Sequence, residues 1–570
     1  EEGAGGGERR RHKKKRRTPR LRRGMPTSRI DEGEWVVQEG DPVDHFKVWP
    51  LIASVLFPCF GGILVGFDFG AFAWMIVAID DNEDFSTWMI EVKDSSTLVG
   101  IIAAISYLGA AIACIVVYWL GGSTVSSRKE LLFAAVCYTT GSLGESESQN
   151  LSSLSSGLGF AFLIIGRLVY GAGIGLSLHA MPPYISEIAP VKLRGLLCGF
   201  IEVSIALGTI FGYAIGMWLE EEDYGWKYTF KFAMVIGIGM FFGVLILPNS
   251  PRWLVASGSP LYEALEAAHF VNPSLTSENI VNMKRDIERQ NPPTDMSAFQ
   301  RLMDPNLRTP VFVGMGVIVV QQITGQAAVL YYIRDMISSL AGDLLILALV
   351  LFGLVKLSGA LVTMFFMDRW GRRFPLIGGL TGMFVFCTLL CLFYLDDLDS
   401  VKGFHWPMLL FIDFWGFSYS VSVGGVTWVL LGELFPAPLK TEALSLALIL
   451  FCVLAAAMSF IIGVEIESVG NAFVWGQCAV TAFVGVYFVA STVPETKGKT
   501  LEEIQKDFNQ DFDTPDFLVS VAYDEEESGH ESSHSSASHT GPAQDKYPRT
   551  NYGAAMDPVA ESKDGVTGTP

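Results

Sequence analysis

The chain has 570 residues, of which 50% are hydrophobic, a formal net charge of −19 and a mean hydropathy of +0.37. Water-soluble chains of this length are rarely so apolar. The charges are concentrated at the two ends and in short connecting segments, and long blocks between them carry almost none. A helix needs about 20 apolar residues to cross a bilayer, and the sequence contains about twelve such blocks. The composition therefore favours a polytopic membrane protein over a soluble domain.

The apolar blocks are predicted to be transmembrane helices. Only helices and closed barrels satisfy the backbone hydrogen bonds in lipid. The blocks are too long and too continuously apolar for barrel strands, so they favour helices. The first block covers Val48–Ile79, and the third, Leu131–Leu143, has the weakest signal. We predict an all-α fold with twelve transmembrane helices.

The loop charges predict the orientation. Acidic runs occupy Asp80–Asp84, Glu220–Asp223 and Asp396–Asp399, whereas the alternate loops carry basic residues. Because excess Lys and Arg stays on the cytoplasmic side, we expect both termini there. The basic run Arg9–Arg23 is expected to touch anionic lipid rather than nucleic acid. The plasma, plastid and vacuolar membranes all stay open as the location.

An internal repeat divides the chain into two halves. Glu187 and Glu433 are 246 residues apart, as are Arg194 and Lys440 and the prolines that follow the sixth and twelfth blocks. Such a repeat indicates two pseudo-symmetric six-helix bundles. The predicted organisation is a basic tail, an N-terminal bundle, a helical cytoplasmic linker, a C-terminal bundle and a mostly disordered cytoplasmic tail, at residues 1–46, 47–248, 249–308, 309–495 and 496–570.

Enzyme and cofactor signatures are missing from the sequence. We find no nucleotide-binding loop, no nucleophile elbow and no metal-type cluster. The eight cysteines all fall inside apolar blocks and are interpreted as small hydrophobic residues. We therefore predict a non-enzymatic protein without cofactor or metal, working as a monomer in the bilayer.

Two charges inside apolar blocks are predicted to pair. Arg167 lies in "GRLVYGAGIG", and a charge there costs at least about 2.5 kcal/mol without a partner. Asp68, in "GFDFG" of the first block, is a candidate partner. Intramembrane charges usually mark transport paths, so a functional pair is favoured over a structural one.

The stretch "QQITGQAAVLYY" combines polar side chains with an apolar block. Gln322 and Gln326 are four residues apart and are expected on one helix face, with Gln321 nearby. Amides offer both donors and acceptors, which suits a solute with many hydroxyl groups. Tyr331 and Trp428 would add aromatic surfaces. The stretch therefore predicts a binding site for a neutral hydroxylated solute, with interhelical bonding as the alternative reading.

Charged residues at the helix ends predict a latch. The sequence "DRWGRR" supplies Asp368, Arg369, Arg372 and Arg373, and the repeated acids Glu187 and Glu433 are candidate partners, beside Arg194. Such groups can hold neighbouring helix ends through charge-assisted hydrogen bonds. The N-terminal counterpart, "GGSTVSSRKELL", lacks the aspartate, so we expect a weaker latch in that half.

Together these strings resemble the sugar porter family of the major facilitator superfamily over about Val48–Gln505. The matching strings include "PPYISEIAPVKLRG", "PNSPRWL", "QQITG…LYY", "DRWGRR", "GGVTWVLLGELFP" and "VPETKGKTLEEI". In motif the chain is most similar to the plastid xylose-proton-symporter-like branch of plants. The resemblance implies the major facilitator fold and transport of a monosaccharide, a hexose or a pentose.

The resemblance also implies roles for single residues. Gln321, Gln322 and Trp428 match the positions that hold the sugar. The usual asparagine after the glutamines is Ala327 here, with Gln326 beside it. Two further family amides are replaced by Glu202 and Lys356, which either pair across the cavity or contact the solute.

Proton coupling is the remaining expectation. Proton-coupled members carry Asp in the first helix, and Asp68 stands at that position, so the resemblance implies symport through Asp68 and Arg167. A proton-independent facilitator and, less favoured, a sugar-sensing receptor stay open as alternatives.

Overall fold

The computed structural model describes residues 46–81, 87–93, 95–120, 125–190, 193–219, 222, 225–290, 305–341, 344–395, 405–435 and 440–499. Nearly all of these residues are helical. The tails expected at residues 1–46 and 496–570 lie outside this part of the chain, apart from residue 46 and residues 496–499.

The N-terminal half is built from seven helices. They are α1 (Val48–Asp81), α2 (Thr87–Lys93), α3 (Ser96–Trp119), α4 (Ser127–Ser152), α5 (Ser156–Ile188), α6 (Arg194–Trp218) and α7 (Gly225–Leu245). Serine side chains cap some of these helices: Ser95 accepts a hydrogen bond from the backbone N–H of Leu98, and Ser126 accepts one from Lys129. Such caps satisfy donors that a helix start leaves free.

Three short helices follow, in the segment where the linker was expected. They are α8 (Pro251–Ala256), α9 (Leu261–Val271) and α10 (Ser277–Gln290). They form a small apolar cluster of their own around Leu254, Ala268 and Ile280. The backbone N–H of Lys47 donates to the carbonyl of Val271, which ties this segment to the start of α1.

The C-terminal half has a broken first helix and a broken fourth helix. Its helices are α11 (Pro305–Ile323), α12 (Gln326–Ala341), α13 (Leu345–Trp370), α14 (Arg373–Leu395), α15 (His405–Tyr419), α16 (Gly425–Leu434), α17 (Lys440–Ser468) and α18 (Asn471–Thr492). A π-helical segment, Ser420–Gly424, joins α15 to α16. The two halves meet mainly where α3 packs against α17 and where α6 packs against α13.

Eleven spans in the described part of the chain are long and apolar enough to cross a membrane. These spans count α11 with α12, and α15 with α16, as single crossings. The third predicted helix, α4, has 26 residues but is too polar to be among them, since its second half reads "GSLGESESQNLS". The all-α polytopic fold is confirmed, and α4 is the predicted third span that these eleven do not include.

Candidate functional site

Asp68 and Arg167 lie in contact at the centre of the N-terminal half. The guanidinium of Arg167 on α5 donates two hydrogen bonds to the carboxylate of Asp68 on α1, one from Nη1 to Oδ1 and one of 3.2 Å from Nη2 to Oδ2. Both side chains are buried, with 0% and 1% exposed. Such two-point contacts between Arg and a carboxylate fix geometry as well as charge.

Tyr331 connects this pair to the other half of the molecule. Its hydroxyl donates to Oδ2 of Asp68 over 2.7 Å. Its ring packs against Phe69 and Phe72 of α1, with centroids 4.9 Å apart in each case. Tyr331 was predicted to face the solute, and here it bonds the buried carboxylate.

A second acid, Glu145, lies beside the same arginine and was missed in the sequence. Its Oε1 is 3.6 Å from Nη1 of Arg167, and its side chain is 0% exposed. It sits on α4, where the helix packs closely against α5: a Cβ on Gly166 would come within 2.7 Å of the backbone nitrogen of Glu145. The sequence signal was the polar stretch that follows the third block.

The glutamines lie where the first helix of the C-terminal half breaks. Gln321 and Gln322 stand near the end of α11, and Gln326 begins α12 after Gly325, which has φ +78°. All three are buried. The expectation that Gln322 and Gln326 share one continuous helix face was therefore wrong, because the break at Gly325 separates them.

Aromatic side chains surround these amides. The side-chain nitrogen of Gln321 donates to the hydroxyl of Tyr419 over 3.2 Å, and Oε1 of Gln321 has no hydrogen-bond partner among the described residues. Trp428 on α16 is buried and packs against Phe451 of α17, with centroids 5.4 Å apart. Tyr419 was not identified from the sequence.

Glu202 and Lys356 form a buried ion pair between the halves. Nζ of Lys356 on α13 lies 2.6 Å from Oε1 of Glu202 on α6, and the side chains are 1% and 6% exposed. The ammonium also lies 5.7 Å from the ring centroid of Tyr419. Of the two readings left open, mutual pairing is the arrangement in this structure.

The predicted latch residues of the C-terminal half meet at one face of the bundle, called the latch face below. Arg372 bonds Glu433 through Nη2 at 2.7 Å and Nε at 3.0 Å, and Asp368 at 3.2 Å. Arg373 donates to the carbonyl of Ala490, and the carbonyl of Arg369 accepts from Lys497.

Glu495 belongs to the same group of contacts at the latch face. Its carboxylate accepts backbone N–H bonds from Arg372, Arg373 and Lys497 at 2.9–3.1 Å. Partial burial would raise the pKa of Glu495, but these three donors and the charge of Arg372 outweigh it and lower the pKa below its ordinary value.

The predicted latch residues of the N-terminal half lie at the end of α5 and the start of α6. Glu187 accepts a hydrogen bond from the hydroxyl of Ser250, and Arg194 is exposed at the first residue of α6. Nearby, His179 of α5 lies 2.7 Å from Oε2 of Glu130 and 3.0 Å from the hydroxyl of Ser445 on α17. This last contact joins the two halves near the latch face. The described residues contain no cluster suited to a metal ion.

Two helical halves that bury charged pairs and amides along their shared interface define a membrane carrier of the major facilitator fold. The chain belongs to the sugar (and other) transporter family, which it matches over residues 54–508. The predicted family is therefore confirmed, and the family is one of transporters rather than enzymes.

Similar proteins and structures support this assignment. The chain is 31% identical over 500 residues to D-xylose-proton symporter-like 2 of Arabidopsis thaliana, covering 83% of this chain and 94% of that protein. It is 26% identical to the arabinose-proton symporter of Bacillus subtilis, covering 78% and 92%. A structure of the E. coli xylose transporter XylE in a partially occluded inward-open conformation has the same fold, with a TM-score of 0.63, 22% identity and coverage of 79% and 99%.

Proposed function

We propose that this protein moves a monosaccharide across a membrane by alternating access and that protons drive the movement through Asp68 and Arg167. The buried, two-point contact between these side chains is the observation that carries the proposal. Protonation of Asp68 would weaken its hold on Arg167 and free α1 and α5 to move. The names of the similar proteins, a D-xylose-proton symporter-like protein and an arabinose-proton symporter, agree with proton coupling.

The sugar would bind at the interface of the halves. Gln321, Gln322, Gln326 and Trp428 supply amides and an aromatic surface, and Glu202 and Lys356 lie at the same level beside Tyr419. Oε1 of Gln321 supports this site, because a buried acceptor without a partner is available to a sugar hydroxyl. Tyr331 would reach the sugar only after leaving Asp68.

The latch face would be the cytoplasmic face. Arg369, Arg372, Arg373 and Lys497 all lie there, in agreement with the usual excess of basic residues on that side. Both termini would then be cytoplasmic, and the protein would act as a monomer. One similar protein, D-xylose-proton symporter-like 3 of Arabidopsis, carries "chloroplastic" in its name, which makes a plastid membrane one candidate location.

The test of coupling is the Asp68→Asn variant in proteoliposomes. Asn imitates the protonated side chain, so pH-driven accumulation of sugar should be lost while exchange of sugar down its gradient continues. Glu147→Gln, at an acid bonded to Lys231 at the surface of α4, is the matched control and should behave like the wild type.

Three outcomes separate the alternatives. Accumulation by the Asn variant with pH as the only energy source would exclude Asp68 as the coupling residue. Absence of accumulation in the wild type at every pH gradient would favour a facilitator. A signalling receptor would bind sugar without moving it in either assay.

A further inference from the structure

The carboxyl group of Glu145 is buried inside the N-terminal half. Its side chain is 0% exposed, and neither of its oxygens has a hydrogen-bond partner among the residues that the structure describes. A carboxylate in such surroundings is very costly unless it is paired or neutralised. Among the described residues, the basic group in contact with it is Arg167, at 3.6 Å.

The charges around Arg167 do not balance. Asp68 and Glu145 carry two negative charges when both are ionised, against one positive charge on Arg167. Tyr170 of α5 adds no charge, because a tyrosine hydroxyl is ordinarily neutral at pH 7, and its hydroxyl donates to the carbonyl of Leu64. On α7, Lys231 and Lys227 bond Glu147 and Asn150 at the edge of the bundle instead. The buried group of three side chains, the triad, therefore needs one proton to be neutral.

The hydrogen bonds indicate where that proton resides. Asp68 accepts two hydrogen bonds from Arg167 and one from the hydroxyl of Tyr331, so donors already occupy both of its oxygens. Glu145 accepts none among the described residues. In this buried arrangement, the proton of a neutral triad therefore fits on Glu145 rather than on Asp68.

We infer that Glu145 shares the coupling proton with Asp68 and that the triad takes up one proton when it becomes buried. The proton resides on Glu145 while Asp68 is bonded to Arg167 and Tyr331, and it passes to Asp68 when that contact opens. With the cavity open to water, the triad has a charge of −1. One proton from that side brings the charge to zero, and its release on the other side restores −1, while Arg167 stays protonated throughout. This inference rests on the proposed coupling for the direction of proton flow, but not for proton binding itself.

The experiment that tests this inference compares Glu145→Gln with the wild type and with Glu147→Gln. The amide imitates protonated Glu145 in nearly the same shape, so the variant triad is neutral without a proton. In purified wild type, the dissociation constant for sugar should rise about tenfold per pH unit where one proton is taken up with the sugar. In Glu145→Gln it should be independent of pH, and pH-driven accumulation should be lost while exchange continues. Glu147→Gln should match the wild type.

Infrared difference spectra test proton binding by Glu145 separately from the proposed coupling, because they detect the protonated carboxyl group without a transport measurement. The wild type should show the C=O stretching band of a protonated carboxylic acid, and Glu145→Gln should lose it. If the wild type is uncoupled but this band disappears in the variant, the coupling proposal fails and Glu145 still binds the proton. If Glu145→Gln keeps the wild-type pH dependence and band, the inference is overturned.

A second variant, Glu145→Asp, tests the inference even if Glu145→Gln folds poorly. Glu145→Asp retains a carboxyl group on a shorter side chain, so its distance to Arg167 changes while the charge count does not. We expect uptake of one proton with a displaced pH midpoint. An unchanged midpoint in a folded Glu145→Asp protein would overturn the inference.

Discussion

At the residue scale, Glu202 and Lys356 form an ion pair at two positions where the resemblance to the family implies amide side chains. Each partner comes from a different half, and the contact is 2.6 Å long. Breaking a buried pair by removing one partner typically costs about 3–5 kcal/mol, because the other charge is left uncompensated. Replacing both partners by neutral groups is often much cheaper.

We therefore expect Glu202→Gln and Lys356→Asn each to lower the stability of the purified protein strongly, and the double variant to recover most of the loss. Thermal unfolding with and without sugar measures both effects. Additive losses in the double variant would show that the two charges do not depend on each other. The double variant also tests specificity, because it recreates the amide pattern of the family.

Gln322→Ala is a second test at this scale. The variant loses one amide of the proposed sugar site, and a net hydrogen bond is worth about 0.5–1.5 kcal/mol, or roughly a twofold to tenfold loss of sugar affinity. The thermal stability without sugar should change little. Unchanged affinity for the best substrate would remove Gln322 from the site.

The pairing of Asp68 with Arg167 was predictable because an arginine in an apolar block requires a partner. Glu145 was not predictable in the same way. It lies two residues from Glu147, and two residues turn an α-helix by about 200°, so the two acids face nearly opposite sides. The sequence of α4 does not tell which of them faces the interior, because its polar half has no clear apolar face.

At the element scale, the break between α11 and α12 decides how the glutamines are presented. The sequence predicted the apolar segment correctly but extended the helix through Gly325, since a single glycine does not by itself end a membrane helix. The positive φ of Gly325 is what ends it. A Cβ at this position would also lie 3.0 Å from Sγ of Cys478 and from a side-chain carbon of Ile462.

Gly325→Ala should therefore destabilise the protein for two reasons. The left-handed backbone conformation costs about 1–2 kcal/mol for a residue with a Cβ. The two close contacts add to this cost. Gly258→Ala is the matched control, because Gly258 has nearly the same φ, +77°, but nothing within 4 Å of an added Cβ. Equal losses of melting temperature in the two variants would show that packing at Gly325 contributes nothing.

The latch gives a prediction for pH. Folding lowers the pKa of Glu495, so its contribution to stability is present above the pKa of the unfolded chain and is lost as the pH falls through the folded value. The stability difference between wild type and Glu495→Gln should favour the wild type at neutral pH and shrink below pH about 4. A difference that stays constant from neutral to acid pH would contradict this role. Unfolding curves at several pH values provide the measurement.

At the scale of the whole molecule, the repeat spacing of 246 residues predicts two halves, but no sequence pattern indicates how they meet. The structure joins them at several levels. Tyr331 bonds Asp68, the hydroxyl of Tyr213 donates to the carbonyl of Leu330, and His179 contacts Ser445 near the latch face. Alternating access requires the contacts on one side to break while those on the other side hold.

Gly195 allows this closure of the latch face to be tested. It lies at the start of α6, and a Cβ added there would come within 2.7 Å of both carboxylate oxygens of Asp368 in the other half. Gly195→Leu should therefore hold the halves apart at this face and shift the population towards the state that is open there. Gly378→Leu on α14 is the control, since an added Cβ has nothing within 4 Å.

The native Cys198 can report the opening of the latch face, so no new cysteine has to be introduced. It lies one turn after Gly195 on α6 and is half-buried. We expect a water-soluble maleimide applied from the latch face to alkylate Cys198 about tenfold faster in Gly195→Leu, which corresponds to a shift of about 1.4 kcal/mol between the two states. Gly378→Leu should react at the wild-type rate, because its new side chain meets nothing between the halves. Equal rates in all three proteins would mean that contact at Gly195 does not hold the latch face closed, and the closure would then depend on His179 and Ser445.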